Sequence, residues 1–237
     1  MASRPELVDT RARMICAAAS ELRDRDVVFV GIGLPSLACN LALRTHAPNL
    51  QMIYESGTIG TRPERNPLSI GDPALVAGAS MVAPMTDVFH MLLQRRNVDV
   101  GFIGAAQIDR FGNINTTVIG PYDQPRVRLP GSGGATEIAI HAKRVLVVTM
   151  LERRAFPTSV DFVTSPGKRV RRVITDKCIF DNDPFRGELV LSALFEDVTE
   201  ADVRELVAWD LAVSPTLGTV PTPRPEVLRE LAKLQRS

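Results

Sequence analysis

The sequence predicts an α/β fold built on a mostly parallel open sheet. Short runs of continuous apolar residues, Val27–Val30, Met52–Tyr54, Val98–Ile103 and Arg144–Met150, alternate with segments of helical period. Such runs suit strands buried on both faces, not the in–out alternation of a half-exposed sheet. Three of them stop at small residues: Gly31-Ile32-Gly33, Ser56-Gly57 and Gly104-Ala105-Ala106. Right-handed crossovers gather those stops on one edge of the sheet, where open α/β sheets hold their ligands.

Taken in order, Leu7, Met14, Ile15, Ala18 and Leu22 recur at helical spacing, so a helix is expected from Pro5 to Arg23. Val27–Val30 is the first strand, Gly31–Pro35 its turn, and Ser36–Arg44 the next helix. The glycine spacing is not that of a dinucleotide fingerprint, and no acidic residue follows at the ribose-binding distance. After the second strand, Thr61–Pro84 has no clear period and is expected to drape irregularly over the sheet end, with a small helix near Asp72–Gly78. Thr86–Arg95 is helical, and Phe111-Gly112-Asn113 turns a hairpin into β-prone Ile114–Ile119. Leu129–Gly134 leads into a short helix, Ala135–His141. Later β-prone segments are Val160–Thr164, Val170–Ile179 and Leu189–Leu194. Thr199 can cap a helix from Glu200 to Trp209. Pro215–Pro225 reads as a tether to a final amphipathic helix, so 215–237 is taken as the C-terminal tether and helix of a single domain, 1–237.

Composition removes several classes of function. The chain has 237 residues, 45% of them hydrophobic, enough for one sizeable core. Its 28 basic and 27 acidic residues leave a formal charge of +1, which gives no footprint for nucleic acid or an anionic membrane. No apolar run approaches a membrane span, and Met1–Glu6 lacks the basic-then-apolar order of a signal peptide. Cys16, Cys39 and Cys178 are odd in number and scattered, as expected of buried thiols in a reducing cytoplasm. His46, His90 and His141 show no metal-ligand spacing, so no metal is expected.

The chemistry-bearing stretch is Tyr54-Glu55-Ser56-Gly57. It leaves a carboxylate at the carboxyl end of a strand, where it can act as nucleophile or base; read alone, it is equally a solvated glutamate closing a strand. Leu129-Pro130-Gly131-Ser132-Gly133-Gly134 is the most glycine-dense loop, able to hold an oxyanion or phosphate, or to be only a tight crossover. Gln107 and Asp109 either line a pocket or stabilise a turn. Lys168, Arg169, Arg171 and Arg172 form either a solvated basic loop or a phosphate contact.

Six motifs in order, Gly31–Pro35, Tyr54–Gly57, Gly104–Asp109, Gly112–Asn115, Gly131–Ala135 and Thr164–Gly167, make the chain resemble the beta subunit of family I CoA-transferases, most of all its glutaconate branch. The resemblance runs from about residue 10 to residue 215. It implies a three-layer α/β/α fold and a heteromer with an alpha subunit, expected as α₂β₂. It implies ping-pong transfer of CoA from an acyl-CoA to a carboxylic acid, with Glu55 as nucleophile and Gly133 and Gly134 as backbone oxyanion donors, flanked by Gly131 and Ser132. Gly31, Gly33, Ser56, Gly57 and Gln107 are expected around the substrate. Coenzyme A is then substrate and covalent intermediate, with no permanently bound cofactor. The chain lacks a longer insertion that the glutaconate enzymes carry after the Thr164–Gly167 motif. Relatives without the glutamate are decarboxylases or ring-opening hydrolases, so hydrolysis or C–C cleavage on the same scaffold is an alternative, and a non-catalytic subunit is another.

Overall fold

The computed structural model describes residues 9–236. The expected start of the first helix at Pro5 and the expected absence of a signal peptide at Met1–Glu6 fall outside those residues. Fourteen strands are present among them: β1 (Val27–Val30), β2 (Gln51–Ile53), β3 (Thr58–Ile59), β4 (Met81–Val82), β5 (Val100–Gly104), β6 (Gln107–Ile108), β7 (Ile114–Asn115), β8 (Val118–Ile119), β9 (Val127–Arg128), β10 (Arg144–Val148), β11 (Val170–Ile174), β12 (Cys178–Asp183), β13 (Glu188–Leu194) and β14 (Ala212–Thr219). Helices are α1 (Thr10–Ser20), α2 (Leu34–Thr45), α3 (Met85–Asp87, continued by a π-helical turn over Val88–Leu93), α4 (Ala135–His141), α5 (Glu200–Leu206) and α6 (Pro225–Arg236).

Ten strands form one sheet in the order β14-β13-β12-β11-β10-β5-β1-β2-β3-β4. Its centre, β11-β10-β5-β1-β2, is parallel, and antiparallel pairs continue it on both sides. Successive side chains of the central strands enter opposite cores, which is why the sequence shows unbroken apolar runs there. Val28, Val30, Met52, Tyr54, Val100 and Phe102 pack with α1, α2 and α6. Phe29, Ile53, Ile103, Val145 and Val147 pack on the other face with Val88, Leu93 and Ile138. The result is the expected three-layer α/β/α arrangement. Gly101 lets α4 lie close on β5: a Cβ there would stand 2.3 Å from the Cγ2 of Ile138.

Three sequence expectations are corrected. Val160–Thr164 forms no strand; only Ser165 bridges to Ile114. Val170–Ile179 is two strands, β11 and the start of β12, because Thr175-Asp176-Lys177 folds into a turn that the Thr175 hydroxyl holds through the N–H groups of Lys177 and Cys178. The tether is shorter than expected. Ala212–Thr219 pairs parallel with β13 as the sheet's edge strand, and Pro215 falls in the irregularity between the Val213–Leu191 and Gly218–Ala193 pairs, where no ladder donor is needed. Only residues 220–224 link it to α6, whose Leu231 and Leu234 are 1% exposed in the α1–α2 core. Burying each contributes about 1.5–3 kcal/mol, which holds the helix on that core.

Candidate active site

Gly31, Glu55, Gly104 and Thr149 follow the carboxyl ends of β1, β2, β5 and β10, which lie side by side. Glu55 stands at the tip of the β2–β3 hairpin. The Tyr54 N–H donates to the Thr58 carbonyl (3.0 Å) and the Gly57 N–H to the Tyr54 carbonyl (3.0 Å). Gly57 has φ +102°, and a Cβ there would stand 1.9 Å from the Ala83 carbonyl oxygen. Beneath the tip, the buried Tyr54 hydroxyl shares a 2.7 Å hydrogen bond with Ser36 Oγ, which ties the hairpin to the first turn of α2. Burial pushes the Tyr54 phenol well above its ordinary pKa and keeps it neutral. Ser56 is exposed beside the half-buried glutamate.

The glycine loop closes the site from the far side. Gly131 and Gly133 have φ of +99° and +46°, a region that favours glycine. Gly134 precedes the first turn of α4. Positions for a Cβ on Gly133 and Gly134 fall 3.7 and 3.3 Å from Glu55 Oε2, so the bare backbone of both residues lies against the carboxylate. A Cβ on Gly134 would also stand 2.8 Å from the Phe89 ring, which the π-helical turn places there. The N–H groups of Gly133 and Gly134 have no hydrogen-bond partner among the described residues. An apolar wall, including Phe29, Ile70, Ile103 and Ile138, completes a hollow of about 200 Å³ around Glu55, Ser132, Gly133 and Gly134. Ile32 and Gly104 also line a second hollow of about 640 Å³, which runs past Ala105, Ala106, Leu129 and Val148 to Arg154.

Glu55, Gly31, Ser132, Gly133 and Gly134 therefore meet in one place. Gly33, Gly57, Gly131 and Gln107 line neither hollow; they shape what does. Gly33 caps α2, Gly57 closes the Glu55–Ser56 turn, and Gly131 is held by Thr116 at both backbone atoms. Gln107 is buried: its amide oxygen accepts from Asn115 Nδ2 (2.7 Å) and the Asp161 N–H (3.1 Å), and its amide nitrogen donates to Asp161 Oδ2 (3.3 Å). Asp109 holds the Phe111–Asn113 turn by accepting from both backbone N–H groups at 3.0 Å. Arg65 forms a bidentate pair with Asp72 (2.7 and 2.8 Å) and so holds the irregular segment. Lys168 and Arg169 precede β11, and Arg171 and Arg172 lie in its first half, away from the carboxyl end of β10; Arg172 pairs there with Glu21 and Asp181. Sequence reasoning missed Ile70 in the wall and Phe89 packed against Gly134; no motif marks an apolar residue that reaches the site from a loop or a helix.

Among the described residues no helix is long and apolar enough to cross a membrane. The coenzyme A transferase family model matches residues 11–206. One of the subunits of 3-oxoadipate CoA-transferase from Pseudomonas knackmussii is 43% identical, over 95% of this chain and 93% of its own. The corresponding subunit of glutaconate CoA-transferase from Acidaminococcus fermentans is 33% identical over 89% of this chain and 86% of its own. The solved structure of that glutaconate enzyme superimposes with a TM-score of 0.87 over 94% of this chain and 93% of the matched one, at 31% identity. The solved decarboxylase AibA/AibB superimposes equally well, TM-score 0.87, at 25% identity over 96% of this chain and 95% of its own. By sequence, by fold and by coverage of most of both chains, this protein belongs to the coenzyme A transferase family, as a beta subunit.

Proposed function

We propose that the chain pairs with an alpha subunit in the cytoplasm, as an α₂β₂ assembly, and moves CoA from an acyl-CoA to a carboxylic acid through a thioester on Glu55. The observation that carries this reading is the close approach of the Glu55 carboxylate to the bare Gly133–Gly134 backbone, whose N–H groups are unpartnered among the described residues, in one small hollow. The carboxylate attacks the thioester carbonyl carbon; the C–S bond breaks, giving an acyl-glutamyl anhydride and CoA thiolate. The thiolate attacks the glutamyl carbonyl of the anhydride, forming glutamyl-CoA and releasing the acyl group as a carboxylate. An acceptor acid runs the sequence backwards. No proton changes hands, so a site of one carboxylate and backbone donors suffices. Each positioned donor can contribute about 10²–10³ in rate at the tetrahedral oxyanion. The 43% identical relative acts on 3-oxoadipate by its name, and we take a dicarboxylic 3-oxo acid as the acceptor class.

The complex should be incubated with an acyl-CoA and no acceptor acid. Intact mass should then show CoA attached to the beta chain alone, and peptide mapping should place it on Glu55. Borohydride should inactivate only after that exposure. Glu55→Gln should fold and lose both the adduct and the transfer. A Glu55→Gln complex that keeps near-native transfer would rule out this nucleophile, and free CoA released without transfer would favour a hydrolase. The decarboxylase relative makes CO₂ release a further assay to run.

A further inference from the structure

The Thr164-Ser165-Pro166-Gly167 motif has no part in the chemistry above, yet it lies buried beside the glycine loop. Thr164 Oγ1 accepts from the Thr116 N–H (3.0 Å) and shares a 2.7 Å hydrogen bond with Thr117 Oγ1. Thr116 in turn grips Gly131 at both backbone atoms: its hydroxyl donates to the Gly131 carbonyl (2.8 Å), and its carbonyl accepts from the Gly131 N–H (2.8 Å). On the other side of the loop, the Thr136 hydroxyl in the first turn of α4 donates to the Thr164 carbonyl (2.7 Å). One residue thus joins the segment that holds the loop's beginning to the helix that follows its end. The motif itself is fixed from behind. Ser165 exchanges backbone hydrogen bonds with Ile114, and the Gly167 N–H donates to Asn113 Oδ1 (3.0 Å). Gly167 cannot carry a side chain, because a Cβ would stand 2.1 Å from the Phe111 carbonyl oxygen.

At its start, where a Cβ on Gly131 would meet no neighbour within 4 Å, the loop is not fixed by packing. Oxyanion donors must nonetheless be in place before charge develops, since reorganising them during reaction would return the energy they provide. We propose that Thr164 is a positioning residue: with Thr116 and Thr136 it forms a hydroxyl clasp that holds the Gly133 and Gly134 N–H groups against Glu55. This rests on the reading of that loop as the oxyanion donor.

The test uses the alpha–beta complex with succinyl-CoA as donor and 3-oxoadipate as acceptor, and compares Thr164→Val, Thr136→Val, Thr164→Ser and Ser165→Ala. Ser165 Oγ is buried with no partner, so Ser165→Ala controls for disturbing the same place without opening the clasp. Thr164→Val and Thr136→Val should each lower kcat about tenfold or more with KM changed less than about twofold, the signature of an interaction made in the transition state. Thr164→Ser should restore most of the turnover, and Ser165→Ala should match wild type. Hydrogen exchange over residues 131–135 should be faster in both valine variants, a readout that needs no turnover. Unchanged kcat, a loss confined to KM, wild-type exchange in the loop, or an equal loss in Ser165→Ala would overturn the clasp. Should Thr164→Val fail to fold, Thr136→Val decides. A wild-type complex that forms no Glu55 adduct would overturn the nucleophile instead, and the exchange data would still report on the clasp.

Discussion

The hairpin that carries Glu55 and the loop that faces it are both built on glycine, for opposite reasons. At Gly57 the backbone conformation and the space both exclude a side chain, since the Ala83 carbonyl occupies the Cβ position. At Gly131 only the conformation does; the space is open. The hairpin is therefore held by steric contact on top of its hydrogen bonds, and the start of the loop by hydrogen bonds alone. Contact fixes a position at all times, whereas hydrogen bonds can let a segment adjust when a substrate arrives. A nucleophile needs the first property. Backbone donors that must be in place before the oxyanion forms therefore need several hydrogen bonds at once, which is the part given to the threonine clasp.

Substituting Gly57 by Ala should break the stiff half outright. The overlap with Ala83 and the positive φ together cost about 3 kcal/mol or more. For a chain of this size that lowers Tm by about 6–12 °C. Calorimetry of the complex checks it, and a variant with native Tm would mean the hairpin is not sterically locked.

The loop half should respond in rate. Gly134→Val forces a side chain between Phe89 and Glu55, and turnover should fall by about 10²-fold or more, far beyond any weakening of CoA binding. Gly131→Ala, strained only by its φ, should cost about 1 kcal/mol of stability and less than tenfold in kcat. Steady-state kinetics of the two side by side would sharpen the distinction; equal losses would erase it.

The smallest effect concerns the segment behind the hairpin. The Arg65 guanidinium, then the Leu68 and Ala74 N–H groups, hold the Asp72 carboxyl well below the ordinary carboxylate range. A depressed carboxyl adds stability that is complete above about pH 4 and is lost as pH falls through its folded value. Wild-type Tm should therefore drop between pH 4 and pH 2 more steeply than that of Asp72→Asn. The half-exposed Arg65 makes the difference salt-sensitive and modest. Parallel melts at low and high salt check this.

Much of this was legible from residues that are neighbours in sequence. Unbroken apolar runs announced the central strands, and a glutamate followed by Ser-Gly announced the end of β2, though not the return strand β3 that makes it a hairpin. What escaped depends on partners far along the chain. Gln107 looked like a pocket residue, but its fate was decided by Asp161, 54 positions away. The clasp joins Thr164 to Thr116 and Thr136, 48 and 28 positions away, and three scattered threonines make no pattern. Pro215 suggested a tether because its cost in a central strand is high, and the sequence alone does not say which strand lies at an edge.

The opposite edge of the sheet has a consequence for how the protein must be made. β4 ends the sheet with Met81 and Val82 more than half exposed, and Met85 and Leu68 are exposed in the adjoining segments. Unpaired backbone beside uncovered apolar side chains invites strand addition by any chain that passes. A cell that produced this chain in excess would accumulate a sticky surplus, so supply in step with a partner is expected to matter as much as catalysis. Expressed alone, the chain should be lost to inclusion bodies in proportion to its excess, and Met81→Lys should raise the soluble yield of the lone chain.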